Sequence, residues 1–391
     1  MEDDPNVLRL YAGYAGSLLF TRHYAESAVL ADRTLALAER LGDGEVATRL
    51  LRMKGMLAQF QGRIWEAIAL VQGARRLAEQ LGLQNEVDLT DSTLTNVLAL
   101  DDPRGSVEVG RRIIDQARRT GHRNRESLNL GNTAEDMRRT GEWDWVMREL
   151  DGAIRDEDRN VTDLYLEHVR ASFLILRGLL TPEDLADLST RTETLGDPDM
   201  AASMHDLGGL LAFVDGRFID AAHEFIVFAD GSDLNAPYAL PRAGLAAVLG
   251  SDVALARQVL ERIGALGTRG RAIETDISLV RAGIMALEGD HDTAMAGYRT
   301  AWSRYGDLGL PYDQGLVALV AAATVGSADP EVAGWLGEAR AIFERLKATP
   351  LLAMVDAQAA SVWSGRSGTT SGARAAASPE ADVAAEAERA N

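Results

Sequence analysis

The stretch Gly62-Arg63-Ile64-Trp65-Glu66-Ala67, with Leu77-Ala78-Glu79-Gln80-Leu81-Gly82 after it, repeats an earlier one. Forty residues upstream stand Arg22-His23-Tyr24-Ala25-Glu26-Ser27 and Leu37-Ala38-Glu39-Arg40-Leu41-Gly42. A fixed period of this size marks one supersecondary unit that cannot bury its apolar face alone, so copies must stack. The same turn returns at Gly141-Glu142-Trp143-Asp144-Trp145, Gly216-Arg217-Phe218-Ile219-Asp220-Ala221-Ala222 and Gly289-Asp290-His291-Asp292-Thr293-Ala294. Successive spacings are 79, 75 and 73 residues, each close to two repeats. Weaker turns at Asp101-Asp102-Pro103-Arg104-Gly105, Gly178-Leu179-Leu180-Thr181-Pro182 and Gly250-Ser251-Asp252 supply the alternate copies.

Between turns the apolar spacing is helical, as in Leu30, Leu37 and Leu41, or Ile68, Val71, Leu77 and Leu81. Pro5 behind Asp4 and Pro182 behind Thr181 read as N1 prolines after N-caps. Gly42, Gly82 and Gly121 read as C-terminal caps. Small residues at Gly55, Ala134, Gly209 and Ala282 stand seven positions before a turn glycine, where paired helices must approach closely. The pattern predicts an all-α protein, an αα-solenoid wound as a right-handed superhelix of about nine TPR-like helix pairs over residues 5–363. A final helix from about Pro350 to Trp363 caps it, and residues 364–391, rich in Gly, Ser and Ala, are expected to be a disordered tail.

Composition narrows function. The chain of 391 residues has no cysteine, which removes disulfides, thiolate nucleophiles and Cys-ligated metals. A formal charge of −19 repels phosphate backbones and anionic lipid, so neither nucleic acid nor a membrane is an expected partner. No apolar run is long enough to span a bilayer and no secretory signal opens the chain, so a cytoplasmic location is expected.

The segments Leu130-Gly131-Asn132-Thr133-Ala134 with Gly141-Glu142-Trp143-Asp144-Trp145, and Glu338-Ala339-Arg340-Ala341-Ile342-Phe343-Glu344-Arg345-Leu346 with Pro350, resemble a known family. It is the C-terminal TPR region of bacterial multidomain signalling ATPases, found in class III nucleotide cyclase–ATPase–TPR proteins and in LuxR-type regulators. The resemblance covers roughly Pro5 to Trp363 and implies a regulatory or sensor region. The family's ATPase needs a phosphate loop with Gly-Lys-Ser/Thr, but Lys54 is followed by Gly55 and Lys347 by Ala348. The cyclase and ATPase domains are absent from this chain.

No catalytic constellation can be assembled. The histidines form no His-x-x-x-His pair, His223-Glu224 lacks the second histidine of a zinc-protease motif, and Asp290-His291-Asp292 reads as a solvated turn. No enzyme, cofactor or metal is expected. Two other constellations are candidates. Fixing the repeat frame on the turn glycines projects Arg52, Gln59, Asn96, Asn132, Glu135 and Arg139 from first helices towards the concave side. Amide and guanidinium groups there can bond a peptide backbone and carboxylates, so a protein or extended peptide on the concave face is the expected partner. Arg104, Arg111 and Arg118 recur at seven residues on one helix face, which suits an acidic partner or the chain's own acidic segments. The alternative function is a small-molecule-sensing repeat domain, with a pocket between repeats lined by Trp65, Trp143 and Trp145.

Overall fold

A computed structural model describes residues 4–154 and 161–368, the last eight of these as backbone helix only. Helix starts follow from local chemistry. Asp4, Asp43, Asp102, Asp252 and Asp290 each accept a backbone N–H of the first turn through the side chain. Thr181 and Asp184 cap each other reciprocally ahead of Pro182.

Among the described residues nine antiparallel pairs result. The first four are α1 (Pro5–Phe20) with α2 (Tyr24–Leu41), α3 (Gly44–Phe60) with α4 (Ile64–Gln80), α5 (Gln84–Leu98) with α6 (Pro103–Thr120), and α7 (Arg123–Thr140) with α8 (Trp143–Ala153). Then come α9 (Val161–Arg177) with α10 (Pro182–Leu195), α11 (Pro198–Val214) with α12 (Phe218–Gly231), and α13 (Ala236–Leu249) with α14 (Val253–Leu266). The series ends in α15 (Arg271–Leu287) with α16 (His291–Leu308), α17 (Pro311–Thr324) with α18 (Pro330–Leu346), and the capping helix α19 (Thr349–Gly368). Among the described residues there is no strand, and no helix is long and apolar enough to cross a membrane. Helix α19 runs past the expected end at Trp363; the rest of the expected tail, 369–391, lies outside the described residues.

The turn glycines take the left-handed conformation at Gly62, Gly141, Gly216 and Gly289. The α13–α14 turn departs from this rule. Gly250 ends the helix with φ −77°, and Ser251 adopts φ 59° instead. A Cβ on Gly250 would lie 2.4 Å from Ile219 Cδ1, so close packing rather than φ explains the glycine.

First helices form an inner layer, α3 on α5, α5 on α7, α7 on α9, α9 on α11, and α13 on α15. The superhelix winds until its halves meet. Helix α17 packs on α7, and α19 on α9. The α14–α15 segment closes on the N-terminal turns: Arg269 N donates to Gly62 O (3.2 Å) and Ile273 N to Leu100 O (3.1 Å). Asp101 there accepts from the backbone N (2.9 Å), Nε (3.0 Å) and Nη2 (2.9 Å) of Arg271. Ile273 accordingly shares a core with Ala58, Leu94 and Leu100. The concave face is therefore narrowed to a partly open interior between the two halves.

Candidate functional site: the inner chambers

Where the two halves face each other, side chains drawn mainly from first helices line two adjoining, partly open spaces. The larger, about 250 Å³, is lined by Gln59, Asn96, Asn132, Tyr165 and His168 among others. The smaller, about 100 Å³, is lined by Arg138, Arg139, Asp276, Tyr305 and Asp313 with an apolar wall including Phe213 and Phe225. Glu135, Asp136, Tyr238 and Arg242 line both.

Five of the six concave-face positions read from the sequence meet here: Gln59, Asn96, Asn132, Glu135 and Arg139. Gln59 Nε2 donates to Asn96 O (3.3 Å), and the Tyr165 hydroxyl donates to Asn132 Oδ1 (3.1 Å). Arg52 is a correction. It lines neither chamber and sits 4.0 Å from Glu86, whose side chain is 2% exposed. Arg49, 3.5 Å from the same carboxylate, shares in offsetting that buried charge, and burial of Arg52 lowers its pKa against the pull of Glu86.

Arg139 is likewise engaged within the chain. Its Nη2 donates to Asp276 Oδ1 (2.7 Å) and its Nε to Asp313 Oδ2 (2.8 Å), with the Tyr305 hydroxyl also on Asp276 (2.7 Å). Burial works against its charge, but the two carboxylates outweigh it and hold its pKa well above the usual value. Burial also pushes Asp313 up to about 6, against Arg139. Glu135 takes Arg138 (2.8 Å) and Arg242 (3.4 Å), and Arg242 also holds Asp206. Burial penalises Glu135, yet the guanidiniums win and lower its pKa.

Among the residues lining the two chambers, two carry a buried atom without a hydrogen-bond partner. Arg138 Nη1 is one, on a residue 5% exposed. His168 Nδ1 is the other, on a residue 3% exposed. Thr192 gives its hydroxyl proton to Leu188 O (2.8 Å), so the contact of 2.9 Å with His168 Nε2 makes that nitrogen the donor. Nδ1 is then a bare acceptor. Burial, then Arg191, lowers His168 to about 4, so the ring is neutral near pH 7.

The arginine row is largely spent on the chain itself. Arg111 pairs with Glu142 and lies 4.6 Å over the Trp145 ring. Arg118 bonds Glu126 and Glu149, each at 2.8 Å. Arg104, whose side chain is 70% exposed, reaches Glu108 only at 3.9 Å. The tryptophan pocket is a further correction, because its three rings are dispersed. Trp65 is exposed and bonds Asp101, Trp143 is a core residue against Phe173 and Tyr312, and Trp145 lies under Arg111.

Sequence reading stopped the inner face at α7 and so missed Tyr238, Arg242, Asp276 and Asp313. A signal existed. Arg242 is the one charged residue in α13 and Asp313 the one in α17, both otherwise apolar helices. A lone charge in such a helix must meet a counter-charge when buried.

No family model matches the sequence, and no curated protein matches it. Solved structures do. The chain is similar over 93% of its length to 99% of a Rap protein complexed with Competence and Sporulation Factor, at 12% identity and a TM-score of 0.50. It is also similar over 86% of its length to 87% of the apo form of the quorum sensor NprR from B. thuringiensis, at 9% identity and a TM-score of 0.38. At 12% identity the likeness to the Rap protein is one of fold: a helical-repeat array of the TPR-like kind.

Proposed function

We propose that this chain is a non-catalytic regulatory scaffold that binds a peptide or protein segment in its inner chambers. The observation that carries the reading is the chamber wall: amides, carboxylates and guanidiniums carried by first helices, with a partnerless polar atom on each of the buried residues Arg138 and His168. Buried polar atoms are almost always bonded, so an unpaired acceptor on the larger space and an unpaired donor on the adjoining smaller one favour a ligand that supplies the complements. That one compared structure is a Rap protein in complex with a factor is in keeping with this reading. The finer assignment, a sensor arm of a bacterial signalling ATPase or LuxR-type regulator, rests on the residue resemblance around Asn132 and Arg340.

A small-molecule sensor is the second reading, favoured by the small size of the two spaces, about 100 and 250 Å³, rather than by any tryptophan pocket. The test is capture of partners from cell lysate by wild type, by Asn132→Ala and by the exposed control Arg76→Ala. Loss of a captured partner in Asn132→Ala alone supports the chamber; equal capture by all three excludes it. Arg139→Ala is unsuited, since stranding Asp276 and Asp313 costs about 3–5 kcal/mol and would report folding instead.

A further inference from the structure

Among the side chains lining the chambers, five carboxyls (Glu135, Asp136, Asp206, Asp276 and Asp313) face three guanidiniums (Arg138, Arg139 and Arg242). Pairing accounts for four of the acids: Asp276 and Asp313 share Arg139, Asp206 holds Arg242, and Glu135 holds Arg138 and Arg242. Asp136, 4% exposed, is left without a cation. Its contact is Ser106 Oγ at 2.5 Å.

Counting protons defines its state. Ser106 Oγ also lies 3.0 Å from Thr95 O, which can only accept. One hydroxyl proton cannot serve both oxygens. A neutral Asp136 resolves the conflict, because its own O–H donates to Ser106 Oγ while Ser106 donates to Thr95 O. Burial, against the Ser106 bond, pushes this carboxyl up to about 7, in accord with the count. A buried acid kept protonated for want of a counter-charge is one that an incoming cation would ionise.

We infer that the chambers take a positively charged nitrogen group, an ammonium or guanidinium, which settles against Asp136 and releases that carboxyl's proton to solvent. The inference rests on the chambers being the binding site. His168 supplies the independent sign: it lines the same larger chamber as Asp136, is buried and neutral, and carries an Nδ1 with no partner, so it brings no positive charge and leaves an acceptor for an N–H. Arg138 Nη1, on the smaller chamber, calls for an oxygen acceptor beside the cation, such as a carbonyl. Other groups facing the region do not replace the missing charge. Tyr165 from α9 and Tyr238 from α13 are held neutral by burial, and Arg138 and Arg139 on α7 are committed to the acids named above.

A basic side chain of a peptide and a free amine carry the same chemistry, and the experiment separates them. The full chain is titrated calorimetrically at pH 6 and pH 8 with capped alanine pentapeptides whose central residue is arginine, lysine, glutamine or glutamate. Agmatine is the free-cation probe. The inference expects the arginine or lysine peptide to bind about tenfold more tightly at pH 8 than at pH 6, as proton displacement from a group near 7 requires. Asp136→Asn should lose both the tenfold pH effect and at least that much affinity at pH 8. Wild type alone keeps the question decidable if the variant misfolds: at pH 7 the binding heat must differ between phosphate and Tris, reporting a released proton. Glutamine or glutamate peptides binding as tightly as arginine, or cation binding without proton release, would overturn the inference and leave the peptide reading standing. Agmatine bound without any peptide would uphold the inference and overturn the peptide reading. No binding by any probe overturns both.

Discussion

At Asp136 a single proton links stability to the site. The folded carboxyl is raised from 3.8 to about 7, so between those values the native state holds a proton that the unfolded chain has lost. Stability is therefore lost as pH rises through that window and levels off above it. Asn at this position mimics the neutral acid, since its Nδ2–H can donate to Ser106 Oγ while Ser106 keeps Thr95 O. Asp136→Asn is expected to match wild type near pH 4 and to exceed it at pH 8, measured as urea midpoints. A variant weaker than wild type at pH 8 would mean that the ionised carboxylate is the native form. Nothing in the local sequence Thr133-Ala134-Glu135-Asp136-Met137 announces this state. It depends on α5 and α6 bringing Thr95 and Ser106 to the same atoms, a tertiary fact.

Element by element, far more was legible. Caps at Asp4 and Thr181, left-handed glycines at Gly42, Gly82 and Gly121, and nine pairs closed by a terminal helix all follow from local chemistry and periodicity. Gly55 shows how close the pairs come, because an added Cβ would lie 2.4 Å from Val71 Cγ2. Gly73, in α4, meets nothing within 4 Å. Alanine is better than glycine in a helix by about 1 kcal/mol, whereas overpacking costs about 1–3 kcal/mol. Gly73→Ala should therefore raise the melting temperature and Gly55→Ala lower it. Equal shifts would show that the α3–α4 interface yields easily. The α13–α14 turn departs from the rule because its glycine answers packing: Ile219 leaves no room for a Cβ at Gly250, and the left-handed residue of the turn is Ser251.

For the whole molecule, local rules give the stack but not how far it winds. The frame placed five of six inner residues on the interior wall, but it said nothing of the closure that brings the two halves together. The reason is that closure depends on contacts more than 150 residues apart in sequence, such as Asp101 with Arg271 and Arg269 with Gly62. Sequence periodicity reports neighbours only. Asp101 is a hinge of this closure: burial resists its charge, but Arg271 wins and holds its pKa below the ordinary value. Asp101→Ala is expected to loosen the ring while the helices persist, seen as a larger radius of gyration in solution scattering with an unchanged circular dichroism spectrum. An unchanged radius would shift the closing role to the backbone bonds of Gly62 and Leu100.

The central claim is that the interior between the two halves receives the ligand, and amide hydrogen exchange of the chain with and without its captured partner tests it most directly. The account predicts new protection in the inner helices α7, α9, α11 and α13, which carry Asn132, His168, Asp206 and Arg242. Protection confined to the outer helices α6, α8 and α14, with the inner ones unchanged, would contradict it and place the interface on the convex surface.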